Sequence, residues 1–166
     1  ALTAQNTTGV YDVLEATPEF VGEQIDCIFN DIRPDAVKIG MVSNIGIIRK
    51  IAEKLQEHHA ENIVVDPVMV STSGSRLLEQ EAVLTLTETL FPLAALVTPN
   101  IPEAELLAGI AVSGKEDMVE AARIINEKFG CAVLLKGGHR INDANDLFYE
   151  GDAYLWFEGK RVDNPN

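Results

Sequence analysis

Apolar residues along this chain follow two spacings in alternation. Val21, Ile25, Ile28, Phe29 and Ile32 recur at intervals of three and four, which predicts a helix with one apolar face. Thr17 supplies a capping hydroxyl, Pro18 fits the first turn, and Pro34 ends the run. Helical spacing returns at Ile47, Ile48, Ile51 and Leu55, behind Ser43 or Asn44 as the cap. It returns again over 79–90, ending near Pro92, and in a short stretch from Pro102 through Leu107. The last such stretch is 118–129, with Val119, Ala122 and the pair Ile125 and Asn126 near one face. Between the helices lie short apolar runs of strand length at 36–41, at 62–65 before Pro67, at 94–98 before Pro99, and at 132–135. Residues 1–6 read as the end of a buried strand, and 71–75 as a flexible loop. Toward the end, Glu150-Gly151-Asp152 and Glu158-Gly159-Lys160 separate three runs: Leu147–Tyr149, Tyr154–Phe157 and Arg161-Val162. That is the pattern of an antiparallel meander.

Strands joined by helical crossovers predict an α/β fold: a mostly parallel sheet with right-handed connections and helices on both faces. At 166 residues, one domain is expected, and no internal repeat divides it.

Charge narrows the choice of function. Thirteen basic and 26 acidic side chains leave a formal net charge of -13. Such a surface repels nucleic acid and anionic membranes. It also repels free nucleotide, so an ATP site would need local positive features, such as helix N-termini, and a bridging metal. No apolar run approaches the length of a membrane span, and no signal-peptide core is visible, which points to a cytoplasmic protein. Cys27 and Cys131 show no metal-ligand spacing with each other or with His58, His59 and His139; two reduced thiols in or near the core are expected. Both chain ends look cut.

In sheets of this kind, ligands bind beyond the carboxyl ends of the strands. Four polar segments fall there: 5–9, 66–69, 98–103 and 136–139. Asp66 and Glu103 could offer oxygens to Mg²⁺, an ion that takes one or two carboxylates and keeps several waters. Glu103 could equally be a helix-start residue favoured by the dipole, and Asp66 a turn former before Pro67. Lys136 can neutralise phosphate charge, and Gly137 and Gly138 can let a phosphate approach the backbone. A solvated lysine in a flexible turn is the alternative. Gln5 can donate and accept at once, which suits the edge of an aminopyrimidine. Met69 can offer a polarisable surface to a flat ring, or simply pack in a core. Neither GxxxxGK[ST] nor GxGxxG occurs.

These segments, in this order, resemble the hydroxymethylpyrimidine and phosphomethylpyrimidine kinases of thiamine biosynthesis, members of the ribokinase-like superfamily. The resemblance rests on ALTAQNTTGV (1–10), KIGM (38–41), VVDPVMVSTSG (64–74), VTPNIPEAELL (97–107) and LLKGGH (134–139), and so covers essentially the whole chain. It implies ATP- and Mg²⁺-dependent phosphorylation of 4-amino-5-hydroxymethyl-2-methylpyrimidine and then of its monophosphate. It implies substrate contacts from Gln5 and Met69, metal contacts from Asp66 and Glu103, and nucleotide or phosphate contacts from Asn100, Lys136, Gly137 and Gly138.

The same resemblance implies that residues 1–166 are part of one kinase domain. The family's first strand, an early glycine-rich stretch and its C-terminal helices are not among them. Nor is the GTGC-like segment whose helix N-terminus forms the anion hole and whose cysteine is the family's base, so no catalytic residue is assigned. One donor of such a hole is worth on the order of 2.7–4 kcal/mol. A polypeptide of these residues alone is therefore expected to be inactive, and steady ATP-dependent turnover by it would refute this. Without the first strand, neighbouring strands would expose edges, so these residues are expected either to belong to a longer chain or to associate, and a homodimer is possible. Two other functions compete: a pyridoxal kinase, and a non-catalytic module that binds a pyrimidine.

Overall fold

Helix α1 (Pro18–Asp31) begins where the sequence predicts, with the Thr17 hydroxyl accepting from the Phe20 N–H at 3.2 Å. In this computed structural model, residues 2–6, 9–42, 44–69, 79–138 and 145–159 are described. The predicted loop at 71–75 and the run Arg161-Val162 lie outside them. Asn44, one of the two expected caps, starts α2 (Ile45–Glu57), its Oδ1 accepting from the N–H groups of Gly46 and Ile47. Three more helices follow: α3 (Gln80–Thr89), α4 (Ile101–Ala108) and α5 (Lys115–Phe129). A 3₁₀ turn, Phe91–Leu93, leads out of α3, and its Phe91 meets Phe129 of α5 edge-on.

The first segment corrects an expectation. Strand β1 (Leu2–Asn6) pairs antiparallel with β2 (Gly9–Leu14) in a separate two-stranded sheet, and Ala4, Gln5 and Asn6 are exposed. An alternating run ahead of a turn is common to hairpins and buried strands, so the run alone does not choose between them.

Among the described residues, the main sheet has six strands in the order β3 (Val37–Ile39), β4 (Ile63–Val65), β5 (Leu96–Val97), β6 (Ala132–Leu135), β7 (Asp146–Glu150) and β8 (Ala153–Phe157). β3 to β6 run parallel, and β7 and β8 add the expected antiparallel meander. Ile39, Val65, Val97 and Val133 are in register and point to one face, where they join the apolar stripes of the helices in a single core. Ile48, Leu86, Ala122 and Ile125 are fully buried against them. The parallel crossovers all step the same way across the sheet, and the apolar stripes of their helices share a core with this face. The opposite face carries Val64, Leu96, Leu134 and Phe148, all half-buried, and Leu155, which is exposed.

A polar clasp joins α1 to the end of α2. Asp26 sits between Lys54 Nζ (2.8 Å) and His58 Nε2 (2.7 Å). The His58 ring stacks on Phe29, and Arg33 donates to the carbonyls of His58 and His59. Lys54, and then His58, hold the Asp26 carboxyl below the usual carboxylate range. Of the two cysteines, Cys131 is buried as expected, whereas Cys27 is exposed on α1. Its helix was predicted correctly, but Cys27 does not fall on the apolar stripe.

Candidate active site

Because β4, β5 and β6 are parallel, their carboxyl ends share one edge of the sheet, and the polar residues that follow them become neighbours. The Asp66 N–H donates to the Ile39 carbonyl at 2.8 Å, which carries the ladder one step past β4. The Lys136 N–H donates to the Pro99 carbonyl at 2.8 Å, and Asn100 and Lys136 form a parallel bridge just beyond β5 and β6. From there Lys136 Nζ reaches across the end of β5 to Asp66 Oδ1 at 2.9 Å. Lys38 Nζ approaches the other carboxylate oxygen at 3.6 Å. The Asp66 side chain keeps 20% of its surface exposed and that of Lys136 38%, so both remain reachable from solvent.

Glu103 has a different environment. It is 1% exposed, and both carboxylate oxygens accept backbone N–H groups: Oε2 from Asn100 at 2.9 Å and Oε1 from Met69 at 3.0 Å. Asn100 Oδ1 accepts in return from the Glu103 N–H, completing a capping box at the start of α4. Of the two roles the sequence left open for Glu103, the structure realises the helix-start role. It adds a clamp to the turn after β4 that local sequence cannot reveal, because Met69 lies 34 residues away. Within that turn Val68 has φ +33°, a strained conformation for a β-branched residue.

The two glycines also divide. A Cβ on Gly137 would lie 2.0 Å from the Asn145 carbonyl oxygen, and the Gly137 N–H donates to Asp146 Oδ1 at 2.8 Å. Gly137 is thus required by the close approach of β7. Gly138 has φ +90° and open space around it.

Met69 corrects another expectation. It is 1% exposed and belongs to the core, so it offers no ring surface to a ligand. Met41, two residues past β3, is 39% exposed at the same end of the sheet. The structure therefore brings Asp66, Asn100, Glu103 and Lys136 together. Among the described residues, no hydrogen bond or ion pair links these four to Gln5, which stands on the separate hairpin. A cleft of about 440 Å³ between α1, α2 and β3 is lined mainly by apolar side chains such as Val21, Phe29 and Leu55, with Lys38 and Gly40 at one end. It contains none of the strand-end carboxylates.

No cluster of three acidic, histidine or cysteine side chains suited to a metal occurs among the described residues. A single accessible carboxylate beside a lysine suits Mg²⁺ held mainly by water and phosphate oxygens. Among the described residues, no helix is long and apolar enough to cross a membrane.

Known proteins are similar to this chain in sequence and fold. The phosphomethylpyrimidine kinase family profile matches residues 1–166. The thiamine biosynthesis bifunctional protein ThiED of Geobacter sulfurreducens is 47% identical over the whole chain, which spans 34% of that protein. The hydroxymethylpyrimidine/phosphomethylpyrimidine kinase of Rhizobium meliloti is 45% identical over the whole chain, which spans 63% of it. The crystal structure of a phosphomethylpyrimidine kinase from Clostridium difficile 630 superposes with a TM-score of 0.87 at 42% identity, over 95% of this chain and 68% of the other. The chain thus spans about a third to two thirds of the length of these relatives. With a ribokinase-like sheet, the strand-end residues at its edge and a profile match from first residue to last, the chain belongs to the phosphomethylpyrimidine kinase family.

Proposed function

We propose that the native gene product containing these residues transfers the γ-phosphoryl group of ATP to the hydroxymethyl oxygen of 4-amino-5-hydroxymethyl-2-methylpyrimidine, and then to the resulting monophosphate, in thiamine biosynthesis. Residues 1–166 are part of its kinase domain. The observation that carries this reading is the ion pair Lys136–Asp66 across the end of β5, flanked by the Asn100–Glu103 capping box.

In the first transfer the hydroxymethyl oxygen attacks the γ-phosphorus, the bond to the bridging oxygen of ADP breaks, and the hydroxyl proton is lost. Catalysis of such a step is mostly positioning and charge stabilisation. Lys136 neutralises phosphate charge, and Asn100, Gly137 and Gly138 shape the backbone beside it. Asp66 is the carboxylate that would hold Mg²⁺, which when bound neutralises charge on the β- and γ-phosphates. Glu103 contributes by fixing the two turns beside Asp66, accepting the Met69 and Asn100 N–H groups from a buried position. Gln5 would read the aminopyrimidine edge, and Met41, rather than Met69, would lie against the ring. The enzyme would work in the cytoplasm on small molecules, without nucleic acid or membrane.

The test is turnover by the purified native gene product, with ATP and Mg²⁺, of the hydroxymethylpyrimidine and of pyridoxal in parallel. Faster phosphorylation of the pyrimidine is expected, with loss of most activity in Asp66→Asn and Lys136→Met. Faster phosphorylation of pyridoxal would replace this reading with a pyridoxal kinase, and binding of the pyrimidine with no turnover would replace it with a non-catalytic module.

A further inference from the structure

A charged residue sits within β3. Lys38 pairs in register with Val64, while its neighbours Val37 and Ile39 point toward the core. Its ammonium stays close to the strand. It lies 3.6 Å from Asp66 Oδ2, and a Cβ on Gly40 would come within 3.9 Å of Nζ, so the side chain runs along β3 toward its carboxyl end. Asp66 therefore stands between two ammonium groups: Lys136 on the β6 side at 2.9 Å and Lys38 on the β3 side. One carboxylate balances one of them. The row of three keeps a surplus positive charge in a chain whose net charge is -13. The two ends of the row also differ. Lys136 precedes the Gly137-Gly138 turn, whereas Lys38 lies on the strand that leads to Met41, the exposed apolar residue proposed to meet the ring.

We propose that Lys38 is a specificity-determining residue that binds the phosphate of the monophosphate substrate, while Lys136 serves the nucleotide. The inference rests on the function proposed above. The alcohol substrate carries no charge at its reacting oxygen, but a phosphomonoester carries about −1.5 to −2 near neutral pH. In the second transfer a monoester oxygen attacks the γ-phosphorus, the bond to the bridging oxygen of ADP breaks, and the diphosphate ester forms. Both partners are anions, so a cation beside the monoester must offset their repulsion and that of the acidic surface. Lys38 is suited to this: its side chain is 66% exposed, and at 3.6 Å Asp66 holds it more loosely than Lys136.

The experiment compares Lys38→Met and Lys38→Arg with the wild-type native gene product. kcat/KM is measured with the hydroxymethylpyrimidine and with its monophosphate as separate substrates. Loss of one charge-assisted contact to phosphate should lower the monoester-to-alcohol ratio of kcat/KM roughly tenfold in Lys38→Met, mainly through KM for the monoester. Lys38→Arg should recover most of that ratio. If Lys38→Met does not fold, Lys38→Gln gives the same comparison. An unchanged ratio overturns the proposal, and so does a wild-type enzyme that phosphorylates the alcohol but never the monoester. A wild-type protein that phosphorylates neither compound removes the proposed function and this inference together.

Discussion

Glu103→Gln separates a clamp from a metal ligand. The substitution preserves shape and removes one acceptor oxygen. The wild-type carboxylate receives the Met69 N–H at 3.0 Å and the Asn100 N–H at 2.9 Å in a site that is 1% exposed. In the glutamine variant one of those N–H groups faces an NH₂, and no solvent is at hand to replace the lost acceptor. A buried donor left unsatisfied costs about 1–3 kcal/mol, and the surviving bond loses its charge assistance, on the order of 1 kcal/mol. The total is about 2–4 kcal/mol, which for a domain of this size lowers the unfolding midpoint by roughly 5–15 °C. The assay is thermal unfolding of wild type and variant, with Mg²⁺ and with a chelator. The loss should be the same in both, because the clamp involves no metal. If the variant melts with the wild type, and only the Mg²⁺ concentration for half-maximal turnover rises, then Glu103 is a metal ligand and the reasoning fails.

Gly137→Ala places a methyl group 2.0 Å from the Asn145 carbonyl oxygen, so the turn after β6 must move; it should cost about 1–3 kcal/mol in denaturant unfolding. Equal stability of Gly137→Ala and wild type would contradict the packing described. Burial pushes the Cys131 thiol up to about 11, leaving roughly one thiolate in a thousand at about pH 8. Iodoacetamide followed by peptide mapping should therefore label exposed Cys27 and spare Cys131 until denaturant is added. For Asp26, Lys54 and then His58 lower the folded-state pKa below the ordinary 3.8, so its stabilisation is present above that pH and is lost as pH falls through the folded value. Asp26→Asn should accordingly shrink the stability difference between about pH 6 and about pH 3 seen in urea titrations; an unchanged difference would rule out this clasp as its source.

What the sequence made legible was local. Thr17, Asn44 and the 3.6-residue stripes locate α1 and α2 because a cap and an amphipathic face depend on neighbours a few residues away. Strand ends were legible for the same reason, since Pro67 and Pro99 interrupt the runs, and parallel pairing then forces Asp66, Asn100 and Lys136 to one edge. The environment of each side chain was not legible. Met41 and Met69 both follow strands, yet tertiary packing takes one into the core and leaves the other exposed. Gly137 reads as a phosphate-loop residue until β7 folds back against it, and Glu103 reads as a simple helix start until Met69 arrives from the previous crossover. The hairpin β1–β2 is not legible at residues 1–6, because a short run does not reveal its partner.

The turn at Val68 has a consequence for the order of folding. A valine at φ +33° is disfavoured by its own backbone, so nothing local drives that conformation early. What holds it is the bond from the next N–H to Glu103, a contact that exists only after α4 has docked on the sheet. The segment should thus be among the last to set. Substitutions at Val68 are expected to change the rate of unfolding and to leave the refolding rate nearly untouched, a φ-value near zero in a chevron experiment.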